Sequence, residues 1–442
     1  MIRSLGSLLL VVLVLVVPTL VAPIARVAAA PESPNIVVIL LDDMREEDWK
    51  ALPRTKQLLE PNGTWYPNFF VSTPVCCPSR VSILSGQYPH NSGVWANAGS
   101  KGGWRNFRNK TNTIASALDR AGYTTGMFGK FVHGYGSKRA APGWDRWWMT
   151  FTLDYTNFKV SVNGKIKKVK RYYTTEQSRQ ARSFVSSARG PFFLYLSSRA
   201  PHGPSTPEKR FAGDYRGTPL EPNPARNEAD VSDKPAFVRN ASRVPDRWIR
   251  SQNQRRLESL KSVDLMVANL VESVRKSGRL DNTIFFVLSD NGVELGEHRV
   301  KGKAVPYDGS IRIPMLVSGP GFDRDGANDN RLVGNVDIAP TIARAAGVDL
   351  PWADGRPLQD NHERDVFLLE HIAWRGLRGA DFLYVEWNGG EREYYDHTTD
   401  PHELDNMLAT WSGHTPTLDP VESDRLRQLL ADLGTCTGQS CP

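Results

Sequence analysis

Cysteine is nearly absent from this chain, with four residues in 442, at positions 76, 77, 436 and 441. So few thiols over that length cannot form the disulfide framework on which small secreted domains depend. Cys76 and Cys77 are neighbours, and a bond between adjacent cysteines is strained, so burial or chemistry must account for them. Cys436 and Cys441 are placed to close a short loop in the tail. No apolar run beyond residues 8–17 (LLLVVLVLVV) approaches membrane length. That run is itself too short for a span, and Pro18 interrupts its extension. Internal repeats and low-complexity tracts are missing. Gly 36 and Pro 30 are scattered without period, which excludes collagen-like and coiled-coil classes. A charged fraction of 23% against 40% hydrophobic residues excludes a disordered chain.

What is there begins with a leader. Arg3, the apolar run and Ala28-Ala29-Ala30 follow the order of basic start, short apolar core and small-residue exit. That order marks a secretory signal over residues 1–30 and a secreted, periplasmic or extracellular location. Arg3 and Arg26 leave with it and no acid does, so the formal charge of +7 falls by two. The basic balance suits an anionic substrate. No nucleic-acid partner and no stable membrane span are expected.

The remainder is long enough for one large α/β core with a small appendage. Residues 35–41 (NIVVILL) form a β-branched run ending in Asp42-Asp43, the pattern of a strand buried on both faces. Residues 113–121 predict a helix stopped by Gly122, and residues 123–128, 192–196, 284–288 and 313–317 predict further short strands. In residues 254–276, Leu257, Leu260, Val263, Val267, Leu270 and Val274 make one helical face. Another helix opens at Asp337 and runs towards Gly347. Strands alternating with helices predict a large, mainly parallel sheet flanked by helices. Residues 159–173 read as a hairpin turning at Asn163-Gly164, and residues 205–245 as a long surface loop. Near the end, residues 376–387 and 391–395 predict two strands around Asn388-Gly389-Gly390, closed by a helix over 421–433. The expected division is a catalytic domain over 31–365 and a small antiparallel subdomain over 366–442.

Ligands of open α/β sheets collect beyond the carboxyl ends of strands. Asp42-Asp43, Gly129-Lys130 and Asp290-Asn291-Gly292 all fall at such ends. Singly, each is ordinary turn chemistry. Together they form an all-oxygen set suited to calcium or magnesium, with a lysine beside it. Residues 76–86 (CCPSRVSILSG) are more specific. Pro78 suits a first helical turn, which places Cys76 at a helix N-terminus, where a nucleophile or oxyanion is stabilised. Arg80, one turn on, adds fixed positive charge.

The pattern C-x-P-S-R-x-x-x-L-S-G resembles the signature of the type I, formylglycine-dependent sulfatases, whose fold is of the alkaline-phosphatase-like class. Residues 34–43, Ser289 to Gly292, Ala200-Pro201-His202, Gly302-Lys303 before Tyr307, Arg312-Ile313-Pro314, and the 394–396 and 400–404 segments resemble other motifs of that family. The resemblance implies that Cys76 is converted to formylglycine by a formylglycine-generating enzyme, with Cys77 at the variable position. It implies that Asp42, Asp43, Asp290, Asn291 and the modified Cys76 hold a divalent ion, calcium or, in its place, magnesium. Arg80, Lys130 and Lys303 would neutralise charge on the sulfuryl oxygens, and His202 would protonate the leaving oxygen. The Lys130 to His133 segment departs from the Lys-x-His of many sulfatases, so His133, which would assist the catalytic step that releases sulfate, sits one position beyond the usual histidine. The double cysteine, the Pro142 to Asp145 block and the Ser161 to Lys165 hairpin are similar to the N-acetylglucosamine-6-sulfatases and heparan endosulfatases. That branch implies a sulfated amino sugar or glycosaminoglycan saccharide as substrate.

Other readings stay open. The same residues would serve an arylsulfatase or a phosphate or phosphonate ester hydrolase, and a chain whose Cys76 stays a thiol would only bind glycans. His298 reads equally as a substrate contact or a loop residue. His90, His371, His397 and His402 lack metal-ligand spacing and read as structural. The lysines of the hairpin read as a solvated face that could touch a polyanion.

Overall fold

The computed structural model describes residues 33–136, 139–322 and 324–441; the leader expected over residues 1–30 lies outside them. The main layer opens with β1 (Asn35–Asp42), β2 (Gly63–Tyr66), α1 (Cys76–Ser85), α2 (Ile114–Arg120), β3 (Thr124–Gly129) and β4 (Arg146–Thr150). It continues through β5 (Phe158–Val162), β6 (Lys165–Val169), α3 (Tyr173–Ser187), β7 (Phe192–Pro201), α4 (Asp246–Lys276) and β8 (Thr283–Ser289). β9 (Met315–Ser318), β10 (Ala327–Asn328) and α5 (Ile338–Ala346) complete it. The sheet has ten strands in the order β10-β2-β9-β8-β1-β7-β3-β4-β5-β6. β8, β1, β7, β3 and β4 make its parallel centre. β9 and the β5–β6 hairpin extend it antiparallel on either side.

All eight residues of β1 are buried, as befits a central strand covered by helices on both faces. The strand's alternation divides it between two cores. Ile36, Val38 and Leu40 pack with residues of α1, α2 and α5, whereas Val37, Ile39 and Leu41 pack with α3 and α4. The predicted apolar face of α4 is the face it buries, with Leu257 through Val274 fully enclosed. Asn163 (φ 48°) and Gly164 (φ 85°) both adopt the left-handed region that a two-residue hairpin turn requires.

A second, four-stranded antiparallel sheet follows, from β11 (Phe367–Glu370), β12 (Trp374–Arg378), β13 (Phe382–Trp387) and β14 (Arg392–Asp396), then α6 (Pro420–Leu433). The single strand predicted over residues 376–387 is in fact two, β12 and β13. They turn at Gly379, whose backbone lies so close to the Phe382 ring that a Cβ there would sit 2.2 Å from it. The apolar residues on both sides of so short a turn read as one run and hide it. Phe367, Leu369, Leu377, Leu383 and Tyr395 of this sheet join the same core as α1 and α5. Cys436 and Cys441 form a disulfide, and Cys76 and Cys77 are free and buried. No described helix is long and apolar enough to cross a membrane.

Candidate active site

The site is assembled where the apolar strands run out. β1 ends in Asp42, and its register against β7 shifts between Leu40 and Asp42, an irregularity of the kind that re-aims a side chain. Asp43 follows in the left-handed region, at φ 67°. Asp290 follows β8 and its amide donates to the Leu41 carbonyl at 3.0 Å, which fixes the two loops together. Lys130 follows β3. Into this carboxyl edge points α1, whose first residue is Cys76 after extended Val75, so the helix N-terminus faces the carboxylates.

The side chains interlock. Arg80 donates from Nε to Asp290 Oδ2 at 2.8 Å, and through Nη1 to Ser197 Oγ at 2.5 Å and the Lys130 carbonyl at 3.0 Å. Lys130 Nζ lies 2.6 Å from Asp42 Oδ2. Lys303 Nζ contacts Asp43 Oδ1 and lies 2.8 Å from Cys76 Sγ and 3.4 Å from Asn291 Oδ1. Asn291 Nδ2 donates to Asp43 Oδ1 at 2.7 Å. Cys76 Sγ is 3.6 Å from Asp42 Oδ1, and His202 Nε2 is 3.8 Å from Asp43 Oδ2. Asp42, Asp43, Cys76 and His202 thus offer ligand atoms within 4.8 Å of one another. The cluster opens on one side only: the side chains of His202 and Lys303 are 22% and 17% exposed, those of Asp42 and Arg80 at most 1%.

Electrostatics follow from this crowding. Burial opposes ionisation of Asp42, but Lys130, backed by His202 and Arg80, holds its carboxyl well below the usual range. Asp43 is likewise lowered against burial, chiefly by Lys303. Asp290 goes the other way, because burial and neighbouring Asp42 outweigh Arg80. The Cys76 thiol is pushed up to about 12 by burial, despite Lys130 and Lys303. Unmodified, it is therefore a protonated, poor nucleophile at neutral pH. Three buried carboxylates and one amide, with a repelled carboxyl among them, fit a hard divalent cation and not a soft one.

Every predicted site residue except His133 enters this cluster. The His133 backbone amide donates to Cys77 Sγ at 3.0 Å, but its ring, exposed at the rim, makes no hydrogen bond among the described residues. Desolvation, with Lys130 and Arg80 behind it, draws that ring down to about 4. His298 is buried, 2.8 Å from Glu228 and 3.7 Å from Glu403. Four supporting residues escaped the sequence reading. Ser197 receives Arg80. Asn97 Oδ1 accepts the Cys77 amide at 2.8 Å. Ser289 Oγ accepts the Met44 amide at 2.8 Å, and Arg256 donates to the Asp43 carbonyl at 2.5 Å. Ser197 and Ser289 follow apolar runs, the same signal that marked Asp42, but Asn97 and Arg256 carry no local signal.

A mainly parallel sheet with a cluster of carboxylates at its carboxyl edge, facing a helix that begins on cysteine, is the architecture of the alkaline-phosphatase-like class. The family model described as Sulfatase matches residues 34–348, and the chain belongs to the sulfatase family. It is 33% identical over 373 residues to an extracellular sulfatase SULF-1 homolog of Drosophila melanogaster, covering 78% of this chain and 33% of that protein. The chain thus spans about a third of that relative's length. It is 30% identical over 400 residues to the N-acetylglucosamine-6-sulfatase of Homo sapiens, covering 84% of this chain and 70% of that one. Among solved structures, one in complex with its substrate D-glucosamine-2-N,6-O-disulfate superposes with a TM-score of 0.80 at 22% identity. That match covers 90% of this chain and 97% of the other and shows the shared fold.

Proposed function

We propose that this protein is an exported sulfatase that hydrolyses a sulfate ester of an amino sugar or glycosaminoglycan saccharide. The observation that carries the reading is the convergence of Cys76, at the head of α1, with three carboxylates and three cationic side chains. Conversion of Cys76 to formylglycine, and a bound calcium or magnesium ion, would supply the nucleophilic oxygen and the Lewis-acid charge that this chain's own side chains lack. Asp42, Asp43, Asp290 and Asn291 would hold the ion. Lys130 and Lys303, kept cationic by Asp42 and Asp43 against the pull of burial, offset negative charge on the sulfuryl oxygens. Arg80, bound to Asp290 and Ser197, holds the floor rigid. His202 stands at the open side, where a leaving oxygen departs, with Nδ1 tied to the Gly203 carbonyl at 2.7 Å and Nε2 directed inward. It would donate the proton that the leaving oxygen takes.

The amino-sugar substrate is supported by the names of the relatives and by the double cysteine and hairpin they share. Export is supported by the leader pattern and by the Cys436–Cys441 disulfide, a bond of oxidising compartments. The test is turnover of paired aryl sulfate and aryl phosphate esters, then a panel of 6-O-, 2-O- and N-sulfated saccharides. Faster hydrolysis of the phosphate would move the chain to phosphoester chemistry. Cleavage of aryl sulfates with no amino-sugar sulfate cleaved would remove the substrate class alone.

A further inference from the structure

The hairpin β5–β6 carries charge that the site does not use. Between Asp154 and Glu176 the chain holds Lys159, Lys165, Lys167, Lys168, Lys170 and Arg171 and no acid. β6 is the free edge of the ten-stranded sheet, and residues 165–168 are all exposed. Arg171 reaches Glu176 at 3.8 Å, but none of the five lysines makes an ion pair among the described residues. Lys159 and Lys168 stand directly opposite one another in the ladder, an arrangement that destabilises a hairpin. Lysines guard exposed sheet edges against unwanted pairing, and that would explain charges on β6. It does not explain Lys159, which is on the inner strand. Beside these lysines Ile166 is 52% exposed, and Phe151 and Leu153, in the loop leading into the hairpin, are 40% and 54% exposed.

We propose that this basic sheet edge is an exosite for the polyanionic chain of a sulfated saccharide, engaging sugars remote from the one being cleaved. The inference rests on the substrate class proposed above. Strand directions set the geometry. β6 runs the same way as β4, so its end at Lys168, Lys170 and Arg171 lies at the carboxyl edge of the sheet, the edge that carries Asp42 and Lys130. Three strand spacings separate β3, which delivers Lys130, from β6, about 14 Å, and five separate β1, about 24 Å. These cations are too distant to touch the scissile group and well placed for a neighbouring stretch of an extended anionic polymer. Exposed apolar side chains among them suit the carbon faces of sugar rings.

The test is binding of a heparin decasaccharide and a heparin disaccharide to the full mature chain carrying Cys76→Ala, which removes turnover. Replacing Lys159, Lys168 and Lys170 together by Gln should weaken the decasaccharide about tenfold at low salt. The difference should fade with added salt, since exposed charges are screened over about 10 Å at 0.1 M, and disaccharide binding should not change. Lys168→Glu separates binding from folding: facing Lys159, it relieves the repulsion, so thermal stability should hold or rise while decasaccharide affinity still falls. Unchanged decasaccharide affinity in either variant overturns the proposal. So does equal or tighter binding of duplex DNA or of phosphatidylserine vesicles by the unaltered hairpin. Aryl sulfate turnover by the native enzyme tests the sulfatase reading separately, and the hairpin substitutions should leave it intact.

Discussion

Two buried clusters of charge lie side by side in this protein, and they are built on different terms. In the one behind the site, charges meet in directed pairs. Arg45 bonds Glu297 at 3.0 Å, His298 meets Glu228 at 2.8 Å, and Arg378 meets Asp308 at 3.2 Å. They tie the 294–299 loop to the segment after β1 and to Glu228, and β12 to Asp308. Burial and neighbouring Glu297 push Glu294 well up. In the site itself the carboxylates crowd. Lys303 is shared among Asp43, Asn291 and Cys76, and Asp290 is pushed up although Arg80 touches it. The first arrangement pairs most of its charges one with another. The second is completed only by something that binds, and its open side is where Lys303 and His202 reach solvent.

If that contrast holds, substitutions in the two clusters should fail differently. Cys76→Ala should lower turnover by about ten-thousandfold or more, as loss of a nucleophile does, while Cys77→Ala retains most activity. Loss confined to Cys77→Ala would reverse the assignment. In the paired cluster, His298→Ala should instead destabilise the fold by about 3 kcal/mol, because it removes a partner of buried Glu228 and Glu403 and leaves them to Lys234 and His397. Denaturant unfolding reads this, and activity per folded molecule should survive.

The pH dependence sharpens the same point. Against burial, the carboxylates of Glu228, which accepts from Nδ1, and of Glu403 raise His298 to about 9, from an ordinary 6.5. Its proton therefore stabilises the fold fully below pH 6.5, and that contribution, about 3 kcal/mol, disappears as pH rises through 9. The melting temperature of the native chain should fall across that window more steeply than that of His298→Ala. A parallel fall in both would show that His298 is not the titrating group.

Smaller effects are expected where a ligand supplies the missing partner. Asp43→Asn and Asp290→Asn should each cut activity by about a hundredfold and lower the bound calcium or magnesium measured by elemental analysis. Stability of the metal-free chain should hold or rise in Asp290→Asn, whose carboxyl is pushed up, and fall in Asp43→Asn, which takes the partner of Lys303 away. Stoichiometric zinc with no calcium or magnesium would contradict the oxygen-donor site. Last, His133→Ala should change turnover only a few-fold, because its ring is neutral above about pH 4 and bonds nothing in the cluster. A loss comparable to that of Lys130→Ala would place His133 in the machinery.

Much of this was legible in the residues. β-branched runs ending in acids announced strands that deliver Asp42 and Asp290, and Pro78 announced the helix that begins at Cys76. Gly379 was not legible, because the turn between β12 and β13 is short and apolar residues flank it on both sides. Nor was the fate of His298, whose partners Glu228 and Glu403 are far along the chain and carry no shared motif.

By itself, the sequence determined the alternation of strand and helix, the polar strand ends and the composition of the site, because these depend on side-chain periodicity and local turn chemistry. Only the tertiary structure decided which charges pair and which crowd. Whether Lys303 turns to Asp43 or to solvent, and whether Asp290 is lowered or raised, depends on burial and on charges brought from strands hundreds of residues apart. Coulomb energy and desolvation act through space, and no spacing along the chain encodes them.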